Sequence, residues 1–187
     1  MSLGKPKAPP NFSEYEAVLH KIGEFSKRVS AEYAHELNCE KGCAQCCVSG
    51  LQVLPVEAAY VQKGLKSQSA ISASPSQKSF CEFLDTSGAC EIYSFRPLVC
   101  RTHGLPLKMA SFESVSSSLT LRVLNDDVVT CQLNFVTDQA PASQDVLSDL
   151  QVQRLLHVVN ARFCERNEIS EPLRRVPLTR DVLLKDS

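Results

Sequence analysis

The sequence predicts a single α+β domain in which two long helices bracket a cysteine-rich core with small antiparallel hairpins. Three observations predict this fold. The chain has 187 residues, which suits one domain with a hydrophobic core of its own. Amphipathic stretches lie near both ends of the chain, and seven of its nine cysteines fall between residues 39 and 100.

The first long helix is predicted over residues 13–37, where Ser13 and Glu16 form a capping-box pattern. Apolar residues follow at helical spacings of three and four: Tyr15, Val18, Leu19, Ile22, Phe25, Val29 and Tyr33. A short strand is predicted at 51–54, and Pro55 suits the first turn of a second helix that reaches residue 64 or 65. The polar stretch 66–79 is typical of a flexible surface loop.

Two hairpins and a final helix are predicted after that loop. Residues 80–93 favour a β-hairpin with a turn at 85–88, and the stretches 112–124 and 127–136 favour a second one. Ser143 is predicted to cap the second long helix, over residues 143–167. Its expected buried face consists of Val152, Leu155, Leu156, Val159 and Phe163.

Composition limits the classes of function. The net charge is −1, which argues against general nucleic-acid binding, and the basic residues Arg174, Arg175 and Arg180 are interpreted as part of a solvated tail. No apolar run approaches the roughly 20 residues that span a bilayer, and residues 1–10 have no secretory-signal pattern. We therefore expect a cytoplasmic protein that does not enter membranes and whose cysteines remain thiols.

The first cysteine cluster has the spacing C-x3-C-x2-C-C and consists of Cys39, Cys43, Cys46 and Cys47. Thiolates spaced in this way can converge on one metal, and both tetrahedral zinc and iron–sulfur clusters use such spacings. Gly42 allows a tight turn inside the cluster. The chemistry indicated is therefore chelation of zinc or iron, with an iron–sulfur cluster as one form of the latter.

A second set of thiols, Cys81, Cys90 and Cys100, is spaced by nine and ten residues, and Cys131 is a further candidate. These spacings predict ligands carried on a hairpin and on the turn after it. Eight thiols make either two sites, or one site with additional thiols around it. Since Cys46 and Cys47 are adjacent, they either serve different metals or only one of them is a ligand. Cys164 is interpreted as a structural residue of the last helix.

Other functions leave weaker signals. Cys39-x3-Cys43-x2-Cys46 formally matches the three-cysteine spacing of radical-SAM enzymes, but no run of βα units accompanies it. A methyltransferase or nucleotide-binding interpretation lacks a glycine-rich loop between a strand and a helix. A thiol redox sensor that uses Cys46 and Cys47 is a further alternative. No catalytic constellation is recognised, so the sequence leaves open whether the protein is an enzyme.

The cysteine motifs resemble those of the CxxCxxCC cysteine-cluster family. The second motif reads C-x-FLD-x2-G-x-C-x-IY-x2-RP-x2-CR over residues 81–101, and the similarity extends over roughly residues 35–135. The resemblance implies a zinc- or iron-chelating protein. One branch of the family is similar to the much longer flagellin lysine N-methylases, which implies an iron–sulfur enzyme or electron carrier as the alternative.

The resemblance is not complete, and it directs attention to further residues. The first two cysteines are separated by three residues instead of two, and His103 stands where the family has an aromatic residue. His103 is either a ligand, a hydrogen-bond donor to a ligand, or a hydrogen-bonded surface histidine. Arg96 and Arg101 are cations that could lower the pKa of nearby thiols, and Arg96 could instead form a structural ion pair. We divide the chain into a disordered lead-in (1–10), a cysteine-cluster metal-binding domain (11–170) and a C-terminal tail (171–187).

Overall fold

The computed structural model describes residues 10–39, 42–68, 80–109, 121–125, 127–137 and 140–184. These segments form a mixed structure of five helices and small sheets, which agrees with the predicted α+β class. Residues 1–9, most of the predicted loop 66–79 and most of the stretch 112–124 lie outside the described residues.

Helix α1 is shorter than predicted and begins without the predicted cap. It spans Ser13–Glu32, its N-cap residue is Phe12, and no side chain caps it. The capping-box prediction is wrong, because Ser13 already lies inside the helix and its N–H is bonded to Asn11 Oδ1 at 2.9 Å. The helix ends before residue 37, since Glu36 is buried and the Phe135 N–H donates to its carbonyl at 2.7 Å.

Helices α2 and α4 complete the helical part. Helix α2 spans Pro55–Lys66 and begins at Pro55, as predicted. Helix α4 spans Asp149–Arg166, and its cap is Ser148, whose Oγ accepts from the Gln151 N–H at 3.4 Å. The predicted cap at Ser143 is wrong, because that residue begins a separate 3₁₀ turn.

The three helices enclose the largest apolar cluster of the described residues. Helix α4 contributes Leu156, Val159 and Phe163, as predicted, and also Cys164, whereas Leu155 is exposed instead of buried. The Phe163 ring stacks on that of Phe12 with 5.4 Å between their centroids. This cluster holds the helical half of the molecule together.

Two small sheets connect distant parts of the chain. Strand β1, Gln52–Val53, pairs with β6, Val176–Pro177, in antiparallel register. The second sheet has the order β3-β4-β2-β5. Its strands are β2 (Leu107–Lys108), β3 (Leu121–Asn125), β4 (Val128–Cys131) and β5 (Leu147–Ser148).

The β3–β4 pairing confirms the described part of the second predicted hairpin. Two further short helices, α3 (Leu98–Thr102) and α5 (Arg180–Leu183), flank the cysteine-rich region. Among the described residues, no helix has both the length and the apolar character needed to cross a membrane.

Candidate metal centre

The loop of residues 42–47 packs against the first hairpin. The Cys81 N–H donates to the Cys47 carbonyl at 2.9 Å, and the neighbouring pair Val48 and Phe80 forms an antiparallel bridge. Gly42 has a φ of +101°, a conformation that favours glycine. A Cβ atom on Gly88 would lie 4.0 Å from the Gly42 carbonyl, so the loop and the hairpin tip approach closely.

The hairpin that carries Cys81 and Cys90 is held by its turn more than by its strands. The carboxylate of Asp85 accepts hydrogen bonds from the N–H groups of Ser87 and Ala89, at 2.8 and 2.9 Å, and from the Ser87 hydroxyl. Between its two arms, the only bridge in this described segment joins Leu84 to Cys90. The predicted hairpin is confirmed, but as two turn-like arms instead of extended strands.

Arg180 supports the back of this hairpin. Its guanidinium donates to the Glu82 carbonyl at 2.9 Å, pairs with the Glu91 carboxylate and lies over the Phe83 ring. Its side chain is only 13% exposed. The interpretation of Arg180 as part of a solvated tail is therefore wrong, because the residue is a structural contact of the cysteine region.

Helix α3 carries Cys100 into the same region. Its first N–H, that of Leu98, donates to Glu57 Oε1 at 2.9 Å, while the Leu54 N–H donates to Glu57 Oε2 at 3.0 Å. The buried Glu57 thus ties the first turn of α2 to that of α3. Burial raises the pKa of this carboxyl group.

A small cavity of about 60 Å³ lies between the 42–47 loop, the hairpin and α3. Leu178, which follows β6, forms part of its wall. Six of the eight predicted ligands line this cavity: Cys43, Cys46, Cys47, Cys81, Cys90 and Cys100.

A second cavity of about 120 Å³ adjoins the first. It is lined by Cys39 and shares Cys43, Cys46 and Cys100 with the first cavity. Although Cys39 is exposed as a residue, its sulfur is directed inward and accepts a hydrogen bond from Asn134 Nδ2 at 3.1 Å. A Cβ atom on Gly104 would lie only 2.4 Å from this sulfur, so the close approach requires glycine there.

Cys131 is the eighth predicted ligand, and it is buried at the end of β4. It lines neither of the two cavities. It lies near Cys39. Charge on the Cys131 sulfur raises the pKa of Cys39, and a hydrogen bond with the Cys39 thiol lowers the pKa of Cys131. The structure thus associates Cys131 with Cys39 and places the remaining six thiols around the first cavity.

The thiols surround the first cavity without forming a finished coordination shell. Across the parts of the chain that the structure describes, no three His, Cys, Asp or Glu side chains lie close enough together to hold a metal ion as they stand. All nine cysteines belong to those parts, and all nine are free thiols. Their donor chemistry fits zinc or iron, and binding would require the sulfurs to move closer together.

Burial shifts the protonation of these thiols. It raises the pKa of Cys39 and of Cys90 to about 11 and that of Cys100 to about 12. For Cys46, a hydrogen bond with Cys47 raises the pKa, and burial adds to the effect. Burial also raises the pKa of Cys81. These thiols therefore remain protonated at neutral pH without a metal.

The two arginines of the motif have different roles. The Arg96 guanidinium lies 3.7 Å from the centroid of the Tyr93 ring and borders both cavities. Its charge lowers the pKa of Cys46, Cys90 and Cys100, as in the first of the two predicted alternatives. Burial outweighs this effect at Cys90 and Cys100, and the hydrogen bond with Cys47 together with burial outweighs it at Cys46.

Arg101 donates to the carbonyls of Arg96 and Ser94, at 2.8 and 2.6 Å. It thereby fixes the turn that precedes α3. Among the ion pairs of the described residues, none involves Arg96 or Arg101.

His103, at the end of α3, is 6% exposed and borders both cavities. The surface alternative considered for this residue is therefore wrong. Burial lowers the pKa of its imidazole. Cys164 is buried beside Asn160 in the helical half, away from both cavities, which agrees with its structural interpretation.

Local sequence patterns do not indicate several residues that shape the site. Asn134 bonds to the Cys39 sulfur, and its Nδ2 also donates to the Gly104 carbonyl at 2.7 Å. Glu57 orients α3 from another helix. These contacts join residues far apart along the chain, so local pattern does not indicate them.

Comparison with known proteins identifies one family. Residues 38–118 match the model of the CxxCxxCC family, whose description reads "Putative zinc- or iron-chelating domain". The family resemblance is confirmed over this segment, which is shorter than the predicted 35–135 and leaves Cys131 outside. No curated protein and no solved structure matches the chain.

Proposed function

We propose that this protein, whose residues 38–118 form a domain of the zinc- or iron-chelating CxxCxxCC type, binds its metal through the thiols around the first cavity. One observation carries the proposal: six cysteines from the 42–47 loop and the 81–100 segment line one cavity of about 60 Å³. Two separate parts of the sequence supply these donors, and a hydrogen bond between Cys47 and Cys81 joins them. We include Cys39 and Cys131 as ligands or neighbouring thiols of the adjoining cavity.

The charges around the cavity suit a bound cation. A thiolate is costly in this partly buried region, as the raised pKa values of Cys90 and Cys100 indicate. A divalent ion offsets that cost, and binding then releases the thiol protons. Arg96 partly compensates the negative charge that several thiolates would bring.

The region has room to adapt when an ion binds. Turns and isolated bridges hold the loop and the hairpin, so the sulfurs can approach one another without breaking a long helix or a wide sheet. A separate apolar cluster stabilises the helical half. We therefore favour a site that loads metal into an already folded chain, in a reducing, cytoplasmic environment.

The alternatives have less support. The described strands form one two-stranded and one four-stranded sheet, which does not resemble the barrel of radical-SAM enzymes. A redox sensor needs thiols of low pKa, whereas the pKa of Cys46 is raised. An iron–sulfur cluster in a carrier or a lysine N-methylase-like enzyme remains the second candidate, because the donors are all thiols.

The test is metal content after purification without oxygen. A colourless protein with stoichiometric zinc supports a zinc–thiolate site, and a brown protein with iron and sulfide supports the cluster. C43S and C100S, which remove one donor from each segment, should each lose most of the metal. C164S is the matched control and should retain it, since Cys164 lies in the helical half.

Two results would contradict the proposal. One is metal-free protein whose nine thiols all react with a thiol reagent and take up neither zinc nor iron. The other is a C43S or C100S variant that folds and binds metal as C164S does, which would refute the ligand assignment.

A further inference from the structure

One buried nitrogen next to the cysteines has no partner. His103 is 6% exposed, and no hydrogen bond to its Nε2 atom is found in the described part of the chain. The backbone N–H of His103 is bonded to the Val99 carbonyl at 3.2 Å, so the unpaired atom is Nε2 of the side chain and not the helix end. Leaving a buried polar atom unpaired costs about 1–3 kcal/mol, which calls for a ligand.

The position of His103 distinguishes it from the other histidines. His20, His35 and His157 are exposed, and none of them borders either cavity. The His103 side chain borders both. Its neighbours on the wall common to both cavities are thiols, an arginine and an aromatic ring, and none of these described side chains is hydrogen-bonded to Nε2.

The shared wall defines a donor set. Six residues line both cavities, and two of them, Tyr93 and Arg96, form a stacked pair. The other four carry metal-binding atoms: Cys43, Cys46, Cys100 and His103. Three thiolates with one imidazole form one of the common coordination shells of zinc.

We propose that Nε2 of His103 is a ligand of the bound metal, together with Cys43, Cys46 and Cys100. This inference rests on the proposed metal-binding function and specifies the coordination shell of the same site. Replacing a fourth thiolate by a neutral imidazole leaves the site with one negative charge fewer. That smaller charge is compatible with a cavity wall on which, among the described residues, Arg96 is the only arginine or lysine common to both cavities.

The decisive measurement is X-ray absorption at the zinc edge on the wild-type protein loaded with one equivalent of Zn²⁺. We expect one nitrogen scatterer at about 2.0–2.1 Å and three sulfur scatterers at about 2.3 Å. An all-sulfur shell would overturn the inference while leaving the proposed function intact. A protein that takes up no zinc or iron would overturn both.

Variants of His103 provide a second test of this assignment. In H103F, which places an aromatic side chain at this position, the nitrogen scatterer should disappear and the zinc affinity, measured by chelator competition, should fall more than about 100-fold. H103C should restore tight binding with an all-sulfur shell. H157Q is the control at an exposed histidine and should match the wild type. A folded H103F variant that retains the nitrogen scatterer and wild-type affinity would also refute the assignment.

Discussion

The helical half and the cysteine region of this protein are built in opposite ways. Helices α1, α2 and α4 bury a continuous apolar cluster, and the buried Asn160 among them bonds to Val56 and Pro172. In the cysteine region, turns and single bridges surround a cavity lined by thiols, and Nε2 of His103 has no partner among the described residues. One half is filled by apolar side chains, although the buried Tyr15 hydroxyl also has no hydrogen-bond partner among the described residues. The other half surrounds cavities that are lined by thiols and an imidazole.

The difference indicates how stability and function are divided. The helical half supplies packing energy that does not depend on a metal. The cysteine region adds metal donors beside a smaller apolar cluster that includes Phe83 and Ile92. Glu57 connects the two halves through its hydrogen bonds to the start of α2 and of α3. Substitutions in the two halves should therefore separate stability from metal affinity.

The largest effect is expected in the helical core. Phe163→Ala removes a ring that is 2% exposed and stacked on Phe12, and it should lower the free energy of unfolding by about 3–5 kcal/mol. The zinc affinity of the molecules that remain folded should not change. Urea unfolding and chelator competition measure the two quantities. Leu155→Ala, at a residue 43% exposed, is the control and should have little effect on either. A large loss of zinc affinity in F163A would show that the halves are not separate.

An intermediate effect is expected at Glu57, which connects the two halves. Glu57→Gln replaces one accepting oxygen by an NH₂ group, which leaves one buried N–H unpaired and should lower the free energy of unfolding by about 1–3 kcal/mol. Because α3 carries Cys100, zinc affinity should fall as well. Glu16→Gln, at an exposed carboxylate, is the matched control. An E57Q variant with lower stability but unchanged affinity would show that Glu57 does not position α3 for metal binding.

A pH-dependent effect is expected in the metal-free cysteine region. The thiols of Cys39 and Cys90, whose pKa is about 11 in the folded state, keep protons that the unfolded chain releases from about pH 8.5. The folded state therefore binds more protons over this window, and the free energy of unfolding should fall as pH rises from 8.5 to 11. Below pH 8.5 the two thiols are protonated in both states, and their contribution to the free energy of unfolding is fully present.

Denaturant unfolding at pH 7.5 and 10.5 measures this slope. The double variant C39S/C90S should have a shallower slope than the wild type. Zinc-loaded protein should be less sensitive still, because its ligating thiols have already lost their protons. Stability of the metal-free wild type that stays constant or rises over the window would contradict the assigned pKa directions.

The sequence predicts those helices and turns that depend on residues close together along the chain. The spacing of apolar residues located α1 and α4, Pro55 marked the start of α2, and Asp85 with Gly88 marked the hairpin turn. The end of α1 and the cap of α4 were predicted incorrectly. The end of α1 depends on long-range hydrogen bonds to Glu36, and the start of α4 depends on the 3₁₀ turn at Ser143–Asp145 that precedes it.

Features that depend on distant contacts could not be predicted. The pairing of β1 with β6 joins two strands of two residues more than 120 positions apart, and such short strands leave no periodic signal. The burial of His103 and of Arg180 depends on the same long-range packing. For the candidate site, the sequence indicated which residues are donors, but not how the cavities divide them.

The position of Leu178 in the cavity wall has a consequence for synthesis. The thiols up to Cys100 leave the ribosome before this residue does, and at 5–20 residues per second the interval is about 4–16 s. During that interval the nascent chain presents reactive thiols without their complete enclosure. Metal can therefore bind after residue 178 has emerged, when the cavity wall is complete. Alternatively, it binds earlier and more weakly to an incomplete site, which Leu178 then encloses.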